Sequence, residues 1–335
     1  MRPRGKCSVI ALACFLVAAT VHADDVSVET IVTGLHRPCG VAVRPGGLPA
    51  RFQLYVSDTA VGRVLRVASD APDRAADAVT GFPKAAGDDG PLGQVGPRGL
   101  LFLDDYQLVV AMATAAGGTI RTYGIPSDRR PLSADDPRQE LNLPSGGGWA
   151  IARTRANDAV PDLLVITAIG AGQADRLLKC RVQADFLGNL QPFGPAPRTA
   201  DLPAPVAVAV SSQGYVAVGR AVDGAEPGAT ITFHSPADGT LLLEVDTGLR
   251  RLVSLAYSAA TGNLYALDSP SATDQGGVYR IDDTSQPGRP SCTAVRVADV
   301  RRPTALACGP DGALYVTTLG DGAADGTLVK IAGGL

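Results

Sequence analysis

Arginine is the residue type in this chain whose spacing most clearly suggests a binding site. Arg37 precedes the apolar segment PCGVAV, Arg98 is the second residue of PRGLLF, Arg251 precedes LVSLAY and Arg302 precedes PTALAC. A guanidinium group donates a planar pair of hydrogen bonds that suits a carboxylate, phosphate or sulfate group. If the fold brings these positions together, they predict an anion-binding surface formed by His36, Arg37, Arg98, Arg251 and Arg302.

A second role for these arginines is ion pairing within the protein. Aspartate recurs near the ends of the segments that follow each arginine, at Asp58, Asp223, Asp268, Asp274, Asp321 and Asp325. Surface pairs of this kind are common and contribute little stability. Complete pairing would leave the arginine-bearing surface neutral and without a ligand.

Three of these aspartates are also the candidates for a metal site. Asp58, Asp268 and Asp321 would supply the oxygen ligands that one divalent metal such as calcium requires, if the chain is an enzyme. Asp58 and Asp268, however, end the segments LYVSD and LYALD. We expect their carboxylates to accept hydrogen bonds from loop backbone amides, which is a structural role.

Signatures of other catalytic sites do not occur in the sequence. It contains no Gly-x-Ser-x-Gly elbow, no Walker phosphate loop and no His-Glu-x-x-His pair. His234 lies in the segment ITFHSP, where we expect a structural or exposed histidine. The sequence therefore identifies no catalytic residue, and we expect no bound cofactor.

Internal repetition predicts the fold. Three copies of one strand pair are nearly identical, namely LYVSD with GRVLRV, LYALD with GGVYRI, and LYVTT with GTLVKI. Six small apolar strands start near Pro38, Pro97, Ser145, Pro205, Leu252 and Pro303. Their mean spacing of about 53 residues fits a four-stranded blade with extended loops. The pattern predicts an all-β, six-bladed β-propeller in a single domain spanning residues 24–335.

The ring is expected to close through the N-terminal strand. The segment at about residues 26–33 precedes the first complete repeat, and the last repeat stops after three strands. Placing that strand in the last blade leaves no unpaired strand edge. Residues 85–96 and 126–144 interrupt the repeat, and we interpret them as loops or insertions.

Residues 1–23 resemble a signal peptide rather than part of the domain. Arg2, Arg4 and Lys6 precede an apolar stretch, and Val21-His22-Ala23 is a small-residue cleavage site. We therefore expect export, to the periplasm or the medium, after cleavage near Ala23. No stretch is long enough to predict stable membrane insertion.

The net charge limits the class of partner that the protein can bind. Cleavage would move the net charge from −3 to about −6, which argues against nucleic-acid binding. We expect instead an anionic small molecule, a glycan or a protein partner.

Four cysteines remain after cleavage, namely Cys39, Cys180, Cys292 and Cys308. Their spacing leaves open whether they pair or stay as small buried thiols.

The proline-led inner strands and the LYVSD and G-x-V-x-R-V segments resemble those of NHL-repeat proteins. They also resemble those of the wider six-bladed superfamily that includes SMP-30 and gluconolactonase. The likeness extends over the chain from residue 24, with the first, fifth and sixth repeats matching best. It implies the propeller fold and a binding face, but not one activity.

The enzymes of this superfamily provide two alternatives to a binding module. Similarity to gluconolactonase would imply a metal-dependent lactonase, whose metal is held by a glutamate, an asparagine and an aspartate at the top of the channel. The corresponding positions here are Cys39, Arg98, Gly146, Val206, Val253 and Thr304, so that site would have to be rearranged. Similarity to quinone-dependent sugar dehydrogenases would imply a catalytic histidine and a basic cavity.

Trp149 is expected to pack between blades.

Overall fold

The protein is a six-bladed β-propeller. The computed structural model describes residues 26–84, 95–114, 117–128, 130–144, 147–157, 161–170, 173–184, 186–194, 204–221, 228–270, 276–322 and 324–335. All regular elements in these ranges are β-strands, arranged in six sheets whose strands are antiparallel except for the short strand Leu132–Ser133. None of these residues forms a helix of membrane-spanning length and apolarity. The predicted signal peptide, together with Asp223, Asp274 and Gly146, lies outside the described residues.

Each blade runs from an inner strand at the axis to an outer strand at the rim. Blade 1 consists of β2 (Pro38–Val43), β3 (Gln53–Asp58), β4 (Arg63–Ala68) and β5 (Ala71–Thr80). Blade 2 consists of β6 (Gly96–Phe102), β7 (Gln107–Thr114), β8 (Gly117–Gly124) and β10 (Gln139–Asn142), with β9 (Leu132–Ser133) lying along β5 of blade 1. Blade 3 consists of β11 (Gly147–Thr154), β12 (Leu163–Gly170), β13 (Gln173–Gln183) and the short pieces β14 (Phe186–Leu187) and β15 (Gln191–Pro192).

The remaining three blades are regular. Blade 4 consists of β16 (Ala204–Val210), β17 (Val216–Ala221), β18 (Thr230–His234) and β19 (Leu241–Asp246). Blade 5 consists of β20 (Leu252–Tyr257), β21 (Leu264–Asp268), β22 (Gly277–Asp283) and β23 (Cys292–Asp299). Blade 6 consists of β24 (Pro303–Cys308), β25 (Leu314–Thr318), β26 (Gly326–Ala332) and β1 (Ser27–Leu35).

The predicted closure of the ring is confirmed. β1 pairs antiparallel with β26, from Ser27 opposite Ala332 to Leu35 opposite Gly326. The first strand of the domain is therefore the outer strand of the last blade, and the two ends of the chain stabilise one sheet. Thr304 reinforces the junction of blades 6 and 1, since its hydroxyl donates to Pro38 O at 2.7 Å.

One prediction about the loops is wrong. Residues 126–144 are not an insertion, because they contain β10, which pairs with β8 as the outer strand of blade 2. They also contain β9, which extends blade 1 by two parallel residue pairs with β5. The polar sequence QELN of β10 fits a strand at the rim, where alternate side chains are exposed to solvent. Of the other interruption, only Val95 and Gly96 are described, and Gly96 begins β6.

The tyrosine of the repeated segments fills the space between neighbouring blades. Tyr55, Tyr265 and Tyr315 are all at most 1 % exposed. The Tyr55 ring packs edge-on against Phe102 of blade 2, with the ring centroids 4.8 Å apart, and Tyr315 packs similarly against Phe52. Burying one such side chain contributes roughly 2 kcal/mol or more. The motif recurs in blades 1, 5 and 6, where this large ring fills the gap between blades; the second strands β7, β12 and β17 of the other blades carry no tyrosine.

Candidate functional site

Every predicted site residue lies on one face of the ring. We call this the connection face, because on it the outer strand of one blade leads to the inner strand of the next. His36 and Arg37 lie between β1 and β2, Arg251 between β19 and β20, and Arg302 between β23 and β24. Arg98 lies near the start of β6. The second strands β3 and β21 end on the same face, at Asp58 and Asp268.

A β-bulge near the start of each inner strand shapes the mouth of the central channel. In blades 1, 4, 5 and 6 the pairing with the second strand skips one residue, and in blades 2 and 3 it skips two. A bulge re-aims the side chain that it contains. The skipped residues are Cys39, Arg98 with Gly99, Trp149 with Ala150, Val206, Val253 and Thr304.

Arg98 stacks on Trp149 at this mouth. The Arg98 guanidinium carbon lies 3.8 Å from the centroid of the Trp149 ring, and the arginine is only 3 % exposed. Burial lowers the pKa of Arg98; the neighbouring Cys39 opposes that effect and the charge of Arg37 adds to it. The guanidinium nevertheless remains charged at neutral pH. A cation of blade 2 is thus fixed against an aromatic ring of blade 3.

Trp149 has both a packing role and a place at the mouth. It packs against the core cluster of blades 4 and 5, as predicted. Its stacking on Arg98 was not predicted, because the sequence alignment of the repeats placed Gly146 at this position. Since a bulge adds residues without leaving a composition signal, the repeat pattern could not locate it.

Arg37 and Arg302 have an unusual backbone conformation. Their φ angles are 58° and 46°, and Ala184 is the only other described non-glycine residue with a positive φ. This left-handed region costs an arginine about 1 kcal/mol or more, whereas glycine and asparagine adopt it easily. Both arginines occupy the same place, immediately before the first proline of an inner strand. Strain of this kind concentrates at functional positions.

The predicted pairing of rim arginines with aspartates holds only in part. Arg301 pairs with Asp321 at 3.3 Å, with both side chains about two-thirds exposed. The Arg302 side chain instead donates to Gly320 O at 2.5 Å. Within the described ranges no carboxylate forms an ion pair with the Arg251 or Arg302 side chain. Positive charge therefore remains on this part of the rim.

Asp58 and Asp268 have the structural role that the sequence predicts. Asp58 is fully buried; one carboxylate oxygen accepts from His36 N at 2.5 Å and the other from Arg63 Nε at 3.0 Å and Nη2 at 2.9 Å. Asp268 accepts from Arg251 N at 2.7 Å. Both carboxylates hold a rim loop against the end of a second strand.

The metal candidates do not fit a shared ion. Asp58 has both oxygens engaged, Asp268 is bound to a rim amide, and Asp321 is 68 % exposed beside Arg301. The described residues contain no group of three or more His, Cys, Asp or Glu side chains placed to hold a metal. The acidic residue Asp325 is likewise engaged in its own loop, where it accepts from Gly322 N at 2.9 Å.

At its mouth and just below it the channel is narrow and mostly apolar. All six inner strands line a cavity of about 90 Å³. Its walls carry mainly valine, leucine, isoleucine, alanine and glycine, with Ser254 and Thr304 as hydroxyl groups. Sites for drug-sized ligands usually measure about 300 Å³ or more. This cavity does not fit a tricyclic quinone, so a ligand of that size would have to stay outside it.

His234 is a structural histidine. It lies in β18 of blade 4, buried, with Nδ1 3.0 Å from Gly239 O and Nε2 3.0 Å from the Thr232 hydroxyl. A neutral ring satisfies both contacts, with Nδ1 donating to the carbonyl and Nε2 accepting from the hydroxyl. Burial, the largest effect, lowers the pKa of His234 from its ordinary value of 6.5, and nearby Arg220 also lowers it.

This burial predicts an acid-sensitive contribution to stability. Because the folded-state pKa is lower than the unfolded value of 6.5, the unfolded chain takes up the proton more readily. The contribution is complete above pH 6.5 and is lost as the pH falls below it. In His234→Gln we expect a smaller fall in the free energy of unfolding between about pH 7.5 and about pH 5.5, measured by urea denaturation. Equal falls in the variant and the parent would contradict this.

The cysteines among the described residues are all free, namely Cys39, Cys180, Cys292 and Cys308. Cys180 is buried, as expected of a small core residue, and burial raises the pKa of Cys180 and of Cys308 to about 12. Cys292 donates to Asp246 O, and Cys39 donates to Arg37 O at 3.3 Å. Cys39 thus helps to fix the strained residue Arg37 at the mouth.

Comparison with known proteins identifies only the fold of this chain. No protein-family model matches the chain, and no curated protein matches it. Solved structures do match. These similarities establish a propeller and nothing finer, because every identity is below 20 %.

The matching structures have different activities. A protein from Thermus thermophilus, named as an oxidoreductase of glucose-dehydrogenase type, shares 18 % identity over 92 % of this chain and 100 % of its own, with a TM-score of 0.60. A gluconolactonase from Xanthomonas campestris shares 14 % identity over 94 % of this chain and 93 % of its own, with a TM-score of 0.59. A luciferin-regenerating enzyme shares 13 % identity over 92 % and 95 %, with a TM-score of 0.53.

Proposed function

We propose that this protein is an exported, NHL-like β-propeller that acts as a binding module. Its ligand-facing surface is the connection face, and its ligand is a small molecule, glycan or protein that presents an anionic group there. The observation that carries the proposal is the pair of arginines, Arg37 and Arg302, held at equivalent rim positions in a backbone conformation that arginine disfavours.

The remaining geometry supports the same proposal. Arg98 is fixed at the channel mouth by stacking on Trp149, so little side-chain freedom is lost when it binds an anion. Arg251 and Arg302 keep their charge without a carboxylate partner in the described ranges. Rigid arginines on one face of a ring suit a bidentate contact with a carboxylate, phosphate or sulfate group.

A lactonase or a sugar dehydrogenase has less support. The names of two structural neighbours would suggest these activities, but the identities of 14 % and 18 % carry only the fold. The aspartates that a rearranged metal site would need are engaged with rim loops and arginines. The histidine outside the rim is held in blade 4 by Thr232 and Gly239.

Trp149 allows the proposal to be tested directly. It is the single tryptophan and it contacts Arg98, so its fluorescence reports on the channel mouth. We expect its emission to change when citrate, inorganic phosphate or sulfate is titrated. In Arg302→Asn binding should weaken about tenfold through loss of a charge-assisted bond, while stability is kept because asparagine tolerates the positive φ.

The matched control removes an arginine far from this face. Arg130 is 84 % exposed and, among the described residues, pairs with Asp128 alone in the loop after β8, so Arg130→Gln should leave the titration unchanged. An emission that does not respond to any of the three anions would refute the proposal. So would an equal response in Arg302→Asn and the parent.

A further inference from the structure

A second concave surface lies on the face opposite the connection face, between blades 1 and 2. It measures about 580 Å³, and its lining includes Arg44, Arg51, Arg66, Arg74, Asp70 and Asp105, with Tyr106 at its edge. We call it the arginine groove. Four arginines against two aspartates give it a net positive charge, whereas the whole chain has a net charge of −3. A positive concave surface on an acidic protein concentrates anions locally.

The sheet register explains why these arginines converge. Tyr55 of β3, Arg66 of β4 and Ala76 of β5 are directly opposite one another, so they share one face of blade 1. That face is turned towards blade 2, because Tyr55 packs against Phe102. Arg74 of β5 lines the same concave surface.

Arg44 lies at the junction with blade 2. Its Nε donates to Asp105 O at 2.5 Å and its Nη1 donates to the Gln53 side chain at 3.0 Å. Its guanidinium carbon is 5.9 Å from the Tyr106 ring centroid. These partners are neutral acceptors and an aromatic ring, so they position Arg44 without cancelling its charge.

Three of the four arginines have no carboxylate partner among the described residues. Only Arg51 forms an ion pair, with Asp70 at 3.2 Å, and both side chains are largely exposed, which makes that pair weak. Arg44, Arg66 and Arg74 form none. Mutual repulsion of these cations is a cost that a bound anion would remove.

We propose that the arginine groove binds a small molecule that carries a phosphate or sulfate group on a sugar ring. Arginines approaching from β4, β5 and the loop after β2 surround a tetrahedral anionic group better than a planar carboxylate, because they come from separate directions. Tyr106 is 62 % exposed and offers the apolar surface against which a sugar ring packs. The volume is in the usual range for such a ligand.

Isothermal titration calorimetry on the full chain tests this site. We expect glucose 6-phosphate and glucose 6-sulfate to bind and glucose not to bind. Arg66→Gln and Arg74→Gln should each weaken binding about tenfold, as the loss of a charge-assisted hydrogen bond implies. Tyr106→Ala should weaken glucose 6-phosphate but not inorganic phosphate. Arg74 and Tyr106 are exposed, so these two variants remain informative if Arg66→Gln fails to fold.

Two controls separate this groove from the connection face. Arg130→Gln should not change the affinity, and neither should Arg302→Asn, since both lie outside the groove. The inference is overturned if neither sugar ester binds, or if Arg66→Gln and Arg74→Gln bind them as the parent does. Equal affinities for inorganic phosphate and glucose 6-phosphate would overturn the assignment of a sugar ligand. A binding event lost in Arg302→Asn alone would belong to the connection face.

Discussion

Replacing Asp58 by alanine is expected to lower the free energy of unfolding by about 4 kcal/mol, since removing one partner of a buried charge network leaves the other uncompensated. The Asp58 carboxylate is fully buried and accepts three hydrogen bonds, one from His36 N and two from the Arg63 guanidinium. Without it, Arg63 keeps only Asp77, at 3.3 Å, as a described carboxylate partner. The loop that carries Arg37 also loses its anchor.

Asp268→Ala provides a graded comparison for this prediction. Asp268 occupies the equivalent end of β21, where its carboxylate accepts a hydrogen bond from Arg251 N. We expect its replacement to cost about 1 kcal/mol, because one part-buried amide loses its hydrogen-bond acceptor. Blade 6 has Thr318 at this position, so a carboxylate is not a general requirement of the blade. Urea denaturation of the parent and both variants gives their free energies of unfolding, which we expect to be lowest for Asp58→Ala.

Thermal melting of the parent and Asp58→Ala, with and without chelator, distinguishes a structural aspartate from a metal ligand. If Asp58 is structural, chelator will not change the melting temperature of the parent, and Asp58→Ala will be destabilised with or without chelator. A melting temperature that falls with chelator in the parent, and no longer does so in Asp58→Ala, would show that Asp58 holds a metal. A loss below about 1 kcal/mol would contradict the buried network itself.

Much of the fold follows from the sequence because each blade repeats the same packing problem. The LYVSD-type segments recur since Tyr55, Tyr265 and Tyr315 each fill a gap between blades. Closure by residues near 26–33 also follows, because the last repeat lacks an outer strand and β1 supplies it. The role of Asp58 was predictable as well, since an aspartate at a strand end commonly accepts loop amides.

The shape of the site did not follow from the repeat pattern. Trp149 reaches the mouth because β11 skips two residues at its bulge, and a bulge has no composition signal. The positive φ of Arg37 and Arg302 was equally hidden, since the residues favoured there are glycine and asparagine. The arginine groove joins residues of two blades that are distant in sequence, from Arg44 to Tyr106. They come together because blades 1 and 2 pack against each other.

The close approach of the inner strands β2 and β6 at Gly40 gives a second large prediction. Gly40 of β2 faces the backbone of β6 so closely that an added Cβ would lie 1.8 Å from Arg98 O and 2.9 Å from the Ser57 hydroxyl. The obstacle is backbone of the next blade, which a rotamer change cannot relieve. We expect Gly40→Ala to lower the free energy of unfolding by about 3 kcal/mol, at the upper end of the usual cost of overpacking.

Gly99→Ala is the matched control, because it tests the same kind of contact with more room. Its Cβ would lie 2.9 Å from Trp149 O and 3.1 Å from an Ile151 side-chain carbon, so we expect a smaller loss than for Gly40→Ala. Blades 4 and 6 already carry alanine at the position of Gly40, at Ala207 and Ala305. The junction of blades 1 and 2 is therefore narrower than the junctions that accommodate a Cβ.

Gly40→Ala should also change the candidate site. We expect relief of the clash to move Arg98 O, and Arg98 carries the guanidinium that stacks on Trp149. We therefore expect folded Gly40→Ala to show altered Trp149 emission and weaker anion binding at the connection face. Unchanged stability with unchanged emission would show that the two inner strands separate freely. Lost stability with unchanged emission would mean that blade 1, and not Arg98, moves, so that the mouth keeps its shape when the blade behind it shifts.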